Sequence, residues 1–232
     1  GELAGSSGPR VQEVLDAERR PVPEPLRWES AVDLGVEAIP IDRYLSREFH
    51  ELEVEKVWRK VWQMVCREEE IPNVGDHIVY EIVNDSWLIV RTSPTEIKAL
   101  LNSCLHRGRR LREEGGCVPQ FRCPFHGLAW NLDGSFAKNP SSWDFPQINE
   151  ERFRLPEARV ATWGGFVFIN TDKNAPPLEE YLEGLPDHFK HRPLEDRYKS
   201  LHLAKVMPAN WKVVQEAFLE SFHLVATHPQ LL

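Results

Sequence analysis

Cysteine is scarce in this sequence, with four residues among 232. So few cysteines exclude a small scaffold held by disulfides, and they favour a reduced, cytoplasmic chain. Long apolar runs are also missing: none approaches the roughly 18–20 residues that a membrane-spanning helix needs. The N-terminal segment GELAGSSGPRVQEVLDAERR lacks the apolar region of a signal peptide. We therefore expect neither secretion nor a membrane partner.

Basic residues are outnumbered, with 28 Lys and Arg against 36 Asp and Glu, which gives a net charge of −8. This balance argues against a dedicated nucleic-acid binder and leaves no basic stripe for anionic lipid. Hydrophobic residues make up 41% of the chain, enough for a sizeable core. The sequence therefore indicates a globular protein, and its motifs have to supply the function.

The hydrophobic pattern predicts a helical part, then an antiparallel β domain over about residues 70–172, then the beginning of another domain. Asp133-Gly134 lies between two β-rich runs and predicts a hairpin. The predicted segments are a short helix near 11–20, a helix over 46–62, β-rich runs at 77–83, 86–92, 97–103 and 160–170, a linker with one short helix at 173–208, and a helical final stretch.

Two Cys/His pairs carry the densest chemistry. Cys104 and His106 stand in NSCLHRGRRL, and Cys123 and His126 stand in FRCPFHGLAW. Thiolates suit iron–sulfur, zinc or Cu(I), and imidazoles suit zinc or iron, so two such loops can converge on one metal centre. Glycines follow both pairs and permit the tight loop conformations that bring backbone N–H groups near a charged cluster.

The two loops, C-x-H-R-G and C-P-F-H-G, resemble the Rieske [2Fe–2S] motif, in which two cysteines hold one iron and two histidines hold the other. A four-ligand zinc site in an interaction domain is the alternative. Respiratory-type Rieske proteins carry a further cysteine in each loop, but here Arg109 and Phe125 occupy those positions. The resemblance therefore points to the oxygenase and ferredoxin branch. We expect the other two cysteines, Cys66 and Cys117, to be buried thiols that form no disulfide.

The C-terminal segment NWKVVQEAFLESFHLVATHP carries a second set of candidate ligands. Glu216, Glu220 and His223 are spaced to share one face of a helix. His228 can join His223 at one metal only if the helix bulges or ends between them, and Pro229 favours an ending. The segment resembles the mononuclear-iron motif of Rieske non-haem iron ring-hydroxylating oxygenases, in their large (α) subunit.

This resemblance implies an α+β fold: an antiparallel β Rieske domain, preceded by an N-terminal helix and followed by the start of an α+β helix-grip catalytic domain. The implied boundaries are 1–45 for an N-terminal extension, 46–172 for the Rieske domain with its leading helix, and 173–232 for the beginning of the catalytic domain. The family's third iron ligand is an aspartate farther downstream. We therefore expect a truncated α subunit that is inactive in this form and binds Fe(II) weakly.

The resemblance also implies the roles of the site residues. Cys104, His106, Cys123 and His126 would hold the [2Fe–2S] cluster, and His223 and His228 would bind a mononuclear Fe(II). Glu220 stands where the family commonly has an aspartate that bridges to a Rieske histidine of the next subunit. Ala217 and Phe222 replace a common asparagine and tyrosine. Glutamate at the bridging position occurs in part of the family, including some enzymes that act on quaternary amines such as carnitine.

By the same resemblance, the complete protein would be the terminal oxygenase of an electron-transfer system. Electrons from NAD(P)H would arrive through a reductase, often with a ferredoxin, and O₂ would hydroxylate an aromatic or other small organic substrate, as in aromatic hydrocarbon catabolism. The implied assembly is a homotrimer or α3β3. Arg109 and Arg110 could help to dock an acidic electron donor. The alternative is a Rieske-type electron-transfer protein without oxygenase activity.

Overall fold

A computed structural model describes residues 9, 11–27, 37–221 and 223–231. The chain divides into two compact units, Gly1–Pro40 and Ile41–Leu232. Among the described residues, no helix combines the length and the apolar character required to cross a bilayer. The domain boundaries expected at 45/46 and 172/173 stay a prediction.

The first unit contains helix α1, Val11–Ala17, which confirms the short helix expected near residues 11–20. A 3-10 turn follows at Glu24–Arg27. The Arg27 guanidinium donates to the Asp16 carboxylate at 2.7 Å and to the Leu15 carbonyl oxygen at 3.2 Å. These bonds fold the turn back onto the end of the helix.

The second unit is built on antiparallel β structure. A seven-stranded sheet has the order β1-β10-β9-β4-β3-β2-β5, and a three-stranded sheet has the order β6-β7-β8. The strands are β1 Gln63–Arg67, β2 Asp76–Ile82, β3 Asp85–Ser93, β4 Glu96–Leu101, β5 Gly116–Cys117, β6 Phe121–Arg122, β7 Ala129–Trp130, β8 Phe136–Lys138, β9 Glu157–Trp163 and β10 Phe166–Asn170. The predicted antiparallel β domain is confirmed, including the hairpin at Asp133-Gly134.

Strand β3 separates two hydrophobic cores because its side chains alternate between the two faces of the sheet. Leu88 and Val90 pack into one core, which also contains both loop cysteines, Cys104 and Cys123. Trp87 and Ile89 lie on the other face, in a second core with strand β10. A strand covered on both sides explains the continuous apolar run WLIV.

The β-rich run 160–170, predicted to close the β domain, belongs to the hairpin of β9 and β10. The turn residues Gly164 and Gly165 have φ values of +59° and +78°. A Cβ at Gly164 would lie 3.1 Å from the Leu194 Cβ, so the turn packs closely under the following segment. Strand β1 was not predicted at all, because it has only five residues and closely follows the leading helix in the sequence.

The leading helical region begins before the predicted 46–62, is interrupted at Ser46 and ends at Trp58. It consists of α2, Asp42–Leu45, and α3, Arg47–Glu53, and a π-helical segment, Val54–Trp58, continues from α3. The Ser46 hydroxyl caps α3 by accepting from the Phe49 N–H at 3.2 Å, which explains the break between the two helices.

Residues 173–208 contain two short helices rather than the single helix that was predicted. They are α4, Leu178–Leu182, and α5, Leu185–Phe189. Glu183 separates them with a φ of +49°, a conformation that a helix cannot include. Leu178 and Leu182 pack against Trp62 and Phe168, which holds α4 on the sheet.

The C-terminal stretch is helical only in pieces: α6, Trp211–Ala217, and α7, Leu224–Thr227. The prediction that Glu216, Glu220 and His223 share one helical face is wrong, because α6 ends before Glu220. Phe218 and Leu219 are 84% and 73% exposed, so no burial supports a longer helix. The predicted helix end before His228 is confirmed, since α7 stops at Thr227.

Candidate metal centre

Two loops carry the four candidate cluster ligands. The first loop, residues 102–112, follows strand β4, and the second loop, residues 123–128, connects β6 to β7. Both loops have the same backbone arrangement. The Cys104 N–H donates to the Arg109 carbonyl at 2.8 Å and its carbonyl accepts from Gly108, and the Cys123 N–H donates to Leu128 at 2.8 Å while its carbonyl accepts from Gly127.

Positive φ values make these two loops possible. Gly108 has φ +73° and Gly127 has φ +76°, in the left-handed region that glycine adopts without a Cβ clash. Each glycine closes a turn four residues after its cysteine, which explains the glycines noted in the sequence. The consequence is a pair of matched turns that present one cysteine and one histidine each.

The two thiols lie inside the protein, where Cys104 is 3% and Cys123 is 2% exposed. Burial raises the pKa of the Cys104 thiol, and its contact with the Cys123 thiol raises that pKa further. A metal ion that binds here has to displace these protons, because the thiolate is the ligand. The thiols therefore form a buried pair suited to one metal ion.

The two imidazoles form a second pair at the surface. The Nδ1 atoms of His106 and His126 are 3.2 Å apart, and both residues are exposed. Two nitrogens bound to one metal ion at about 2.1 Å, with an angle near 100° between them, lie about 3.2 Å apart. Phe125 stacks on His126 with 4.0 Å between ring centroids, which fixes the orientation of that ring.

The donors thus come in two pairs, which is the division that a Rieske cluster requires. A four-ligand zinc site needs four donors around one ion, whereas a Rieske cluster takes its donors as two pairs. Two buried sulfurs and two exposed nitrogens on matched loops fit a [2Fe–2S] cluster.

Asn102 supports the first loop and was not recognised as a functional residue from the sequence. Its Oδ1 accepts from the N–H groups of Leu111 and Arg112 at 3.1 and 3.0 Å, and its Nδ2 donates to the Arg112 carbonyl and the Ser86 hydroxyl. The Asn102 side chain thus makes all four of its possible hydrogen bonds, although the residue is only 1% exposed. The signal in the sequence was a polar residue directly after a buried strand.

The basic run at residues 107–112 is only partly exposed to solvent. Arg109 pairs with Glu113 at 3.0 Å, and Arg110 pairs with Glu81 and Glu113. Leu111, in contrast, is buried in the core beneath the loop. Docking of a donor by Arg109 and Arg110 stays a prediction, and their charge is partly balanced within this chain.

The C-terminal candidates lie close together. The Glu220 carboxylate contacts the His223 Nδ1 at 2.5 Å and also accepts from the His223 N–H at 3.1 Å. The rings of His223 and His228 are 5.5 Å apart and nearly perpendicular. Glu216 lies elsewhere, since its carboxylate accepts from the Tyr44 hydroxyl at 2.7 Å. The segment therefore offers two neighbouring imidazoles, one of them held by a carboxylate.

The remaining cysteines are unbridged, as expected, but only one of them is buried. Cys66 is buried in the second core, and burial raises the pKa of its thiol to about 12. Cys117 is exposed, which contradicts the expected buried thiol. It lies on the edge strand β5, where one side has no partner strand to cover it.

Two family descriptions match the chain. Residues 61–149 match the Rieske [2Fe-2S] domain, and residues 188–232 match the catalytic domain of the ring hydroxylating alpha subunit. The first contains both loops, and the second contains the Glu220, His223 and His228 segment.

Known proteins agree with these matches. The chain is 31% identical over 194 residues to the carnitine monooxygenase oxygenase subunit of Escherichia coli (strain K12), across 82% of this chain and 52% of that protein. It is also 31% identical over 194 residues to the biphenyl 2,3-dioxygenase subunit alpha of Rhodococcus jostii (strain RHA1), across 81% and 42%. A crystal structure of the quaternary ammonium Rieske monooxygenase CntA matches with a TM-score of 0.77 and 28% identity, covering 83% of this chain and 54% of that chain.

The chain spans about half the length of the carnitine monooxygenase subunit that it matches. The two family matches nevertheless lie in the order expected for an α subunit, with the cluster domain before the catalytic domain. On its sequence, its fold and its relatives, this chain belongs to the Rieske non-haem iron oxygenases, as part of their α subunit.

Proposed function

We propose that this protein is the terminal oxygenase component of a Rieske system, with Cys104, His106, Cys123 and His126 as the ligands of its [2Fe–2S] cluster. The observation that carries the proposal is the pair of matched loops, which bring two buried thiols and two exposed imidazoles together. When bound, a Rieske cluster supplies one-electron transfer and a non-haem Fe(II) supplies O₂ activation.

The surroundings of the four proposed ligands differ between the cysteine side and the histidine side of the cluster site. Core residues surround the two cysteines and exclude water from the sulfur side. His106 and His126 face the surface, beside a pocket of about 170 Å³ that is lined in part by Asn139 and Phe145. Electrons therefore enter and leave on the histidine side, where another protein surface can approach.

His223 and His228 are our proposed ligands for the mononuclear Fe(II). The Glu220 carboxylate holds His223 through Nδ1 and so orients its other nitrogen away from the carboxylate. We also propose that Glu220 links this imidazole to His126 of a neighbouring copy in a trimer. The pocket beside His126 gives such a carboxylate room to approach.

The remaining parts of the proposal follow from the relatives and the composition. A reductase or ferredoxin would be the electron donor, and a small organic molecule and O₂ would be the substrates. One relative is named for carnitine and another for biphenyl, so both a quaternary amine and an aromatic ring are candidate substrates. Unbridged cysteines favour the cytoplasm.

Metal analysis tests the cluster. Anaerobically purified protein should be red-brown and contain about two irons and two sulfides at this site. Cys123→Ser should abolish the colour, whereas Cys117→Ser, a matched change at an exposed thiol, should preserve it. Stoichiometric zinc with no visible absorbance would contradict the proposal.

Additional iron distinguishes an oxygenase from an electron-transfer protein. At saturating Fe(II), the wild-type protein should bind iron beyond the cluster, and His223→Ala should lose that iron while keeping the colour. Identical iron content in the two proteins would favour an electron-transfer protein without oxygenase activity.

Glu220→Gln tests the link between the two centres. In the full-length, assembled holoenzyme it should leave cluster and iron content near normal but slow oxidation of a pre-reduced cluster in a single turnover by tenfold or more. Glu180→Gln, an exposed glutamate on α4, is the matched control. Unchanged cluster oxidation and product yield in Glu220→Gln would return Glu220 to the role of a surface residue.

A further inference from the structure

His77 on strand β2 is a buried titratable residue outside the proposed ligand set. It is 2% exposed, and its ring lies between the end of the first loop and the strand that leads into the second. We infer that His77 is a positioning residue for the cluster, whose neutral ring connects the two loops and whose protonation releases them. The inference rests on the proposed cluster.

The hydrogen bonds of His77 define its tautomer. Nε2 lies 3.3 Å from the Nε of Arg112, and Nδ1 lies 3.2 Å from the Gly75 carbonyl oxygen. A guanidinium can only donate, so Nε2 has to accept and cannot carry a proton. A carbonyl can only accept, so Nδ1 carries the proton. The ring that satisfies both bonds is the neutral Nδ1–H form.

Arg112 connects His77 to the first loop. Its backbone N–H and carbonyl both bond to the Asn102 side chain, which closes the loop that holds Cys104 and His106. The Arg112 side chain then donates to His77. A change at the His77 ring therefore acts on the end of the first loop through a single side chain.

Phe121 connects His77 to the second loop. The two rings meet edge to face, with centroids 5.3 Å apart and planes at 87°. Phe121 is fully buried and stands two residues before Cys123 in the chain. One imidazole thus contacts the residue that closes the first loop and a residue that leads into the second.

Protonation of Nε2 would disrupt this arrangement. The new N–H would point at the Arg112 donor, which breaks that hydrogen bond and places two cations side by side. The other groups that face the ring are Asp76 on the same strand, which favours the charged form, and the backbone carbonyls of Gly75 and Glu114. The Phe121 ring adds no compensating formal charge.

The neutral form is favoured in the folded protein. Burial lowers the pKa of His77, and the Arg112 charge lowers it further, against opposing contributions from Gly75, Glu114 and Asp76. A histidine with a lowered pKa contributes stability that is fully present above its unfolded value of about 6.5. That contribution declines as the pH falls below about 6.5, and it is lost once the pH has fallen through the folded pKa.

The experiment follows loss of the cluster by visible circular dichroism in the cluster-loaded protein between pH 7.5 and 5.5. If one proton controls release, the wild-type loss rate should rise by up to about tenfold per pH unit. His77→Gln should reduce the rise to less than about threefold across the whole range, since its amide offers a donor and an acceptor but does not titrate. His191→Gln, the same change at an exposed histidine, should keep the wild-type profile.

Two further variants separate positioning from general stability. His77→Phe keeps an aromatic ring but neither hydrogen bond, so it should lose the cluster faster than His77→Gln at pH 7.5. Arg112→Met removes the donor and leaves the histidine, so the loss should be faster at pH 7.5 but depend less on pH. This variant remains informative if the His77 variants fail to fold.

The outcomes distinguish this inference from the proposed function. A wild-type protein without two irons and two sulfides at pH 7.5 would overturn both. A loaded wild-type protein whose cluster loss does not depend on pH would overturn the inference alone. The inference alone would also be overturned if His77→Gln and Arg112→Met both keep the wild-type pH dependence of cluster loss.

Discussion

Gly108 and Gly127 play the same conformational role, but their surroundings differ. Both have left-handed φ values near +75°, so a side chain at either position is strained. A Cβ on Gly108 would find its nearest neighbour, the Ser103 hydroxyl, at 3.9 Å. A Cβ on Gly127 would lie 3.1 Å from the Arg122 guanidinium and 3.2 Å from the Pro140 ring. Strain is therefore common to both, and crowding belongs to the second loop alone.

This difference predicts unequal costs for the same substitution. Gly108→Ala should lower the free energy of unfolding by about 1–2 kcal/mol, the cost of a left-handed alanine. Gly127→Ala should lower it by a further ~1 kcal/mol or more, because Pro140 cannot move aside easily. Urea unfolding measures both, with Gly184→Ala as the control, since that site has φ −78° and open space. Equal losses in the two loops would contradict the crowding argument.

At the residue scale, the sequence reveals sites whose residues lie close together in the chain. Cys104, His106, Cys123 and His126 could be selected because loop motifs are short and their spacing is visible. The contribution of His77 could not be seen, because it depends on contacts with Arg112 and Phe121, 35 and 44 positions later in the chain (112 minus 77, and 121 minus 77). Such pairings arise from sheet register, which a single sequence does not specify.

At the element scale, helices α3 and α6 are joined by an ion pair between the buried Glu53 and the partly buried Lys212. The Lys212 ammonium on α6 contacts the Glu53 carboxylate at the end of α3, and the Trp211 indole also donates to it, at 3.2 Å. The Trp58 and Trp211 rings pack edge to face at 4.9 Å. Burial raises the pKa of Glu53, but the bonds from Lys212 and Trp211 outweigh burial and keep this pKa below its ordinary value.

Breaking this ion pair from one side should therefore be costly. Glu53→Gln should lower the free energy of unfolding at pH 7 by about 1–3 kcal/mol, because it leaves the partly buried Lys212 charge without its carboxylate partner. The double variant Glu53→Leu with Lys212→Met should recover most of that loss. Since the pKa of Glu53 is lowered, the wild-type advantage is present above about pH 4.5 and disappears as the pH falls further. Denaturant unfolding of the wild type and the variants at pH 7 and pH 4 measures these differences. If the stability losses of Glu53→Leu and Lys212→Met, measured singly, add up to the loss of the double variant, the ion-pair argument is contradicted.

Elements were easiest to predict where burial reinforces periodicity. Strands β2, β3 and β4 matched the predicted runs because all three have neighbours on both sides in the sheet and their apolar residues are buried, in β3 and β4, or half-buried, in β2. The predicted helix of the final segment is too long because Phe218 and Leu219 continue a helical spacing while lying exposed. A hydrophobic pattern predicts a helix only where another surface covers it.

At the scale of the whole chain, the structure divides into the units Gly1–Pro40 and Ile41–Leu232. Both cluster loops, both cores and the Glu53–Lys212 pair lie in the second unit. Residues 37–40 are exposed and form neither helix nor strand. The interactions that we hold responsible for the cluster and for stability therefore come from one unit.

Removal of residues 1–40 should consequently have little effect. The shortened protein should keep its cluster colour, and its thermal midpoint should stay within about 2 °C of the full chain, which corresponds to less than about 1 kcal/mol. Removal of residues 1–58 is the matched contrast, because it also deletes α2, α3 and the Glu53 partner of Lys212. That deletion should lower the midpoint by at least about 6 °C, since it removes the Glu53 carboxylate to which Lys212 and Trp211 both bind. Calorimetry of the three proteins, loaded with the cluster, measures the difference. Cluster loss after the shorter deletion would show that the first 40 residues stabilise the cluster domain.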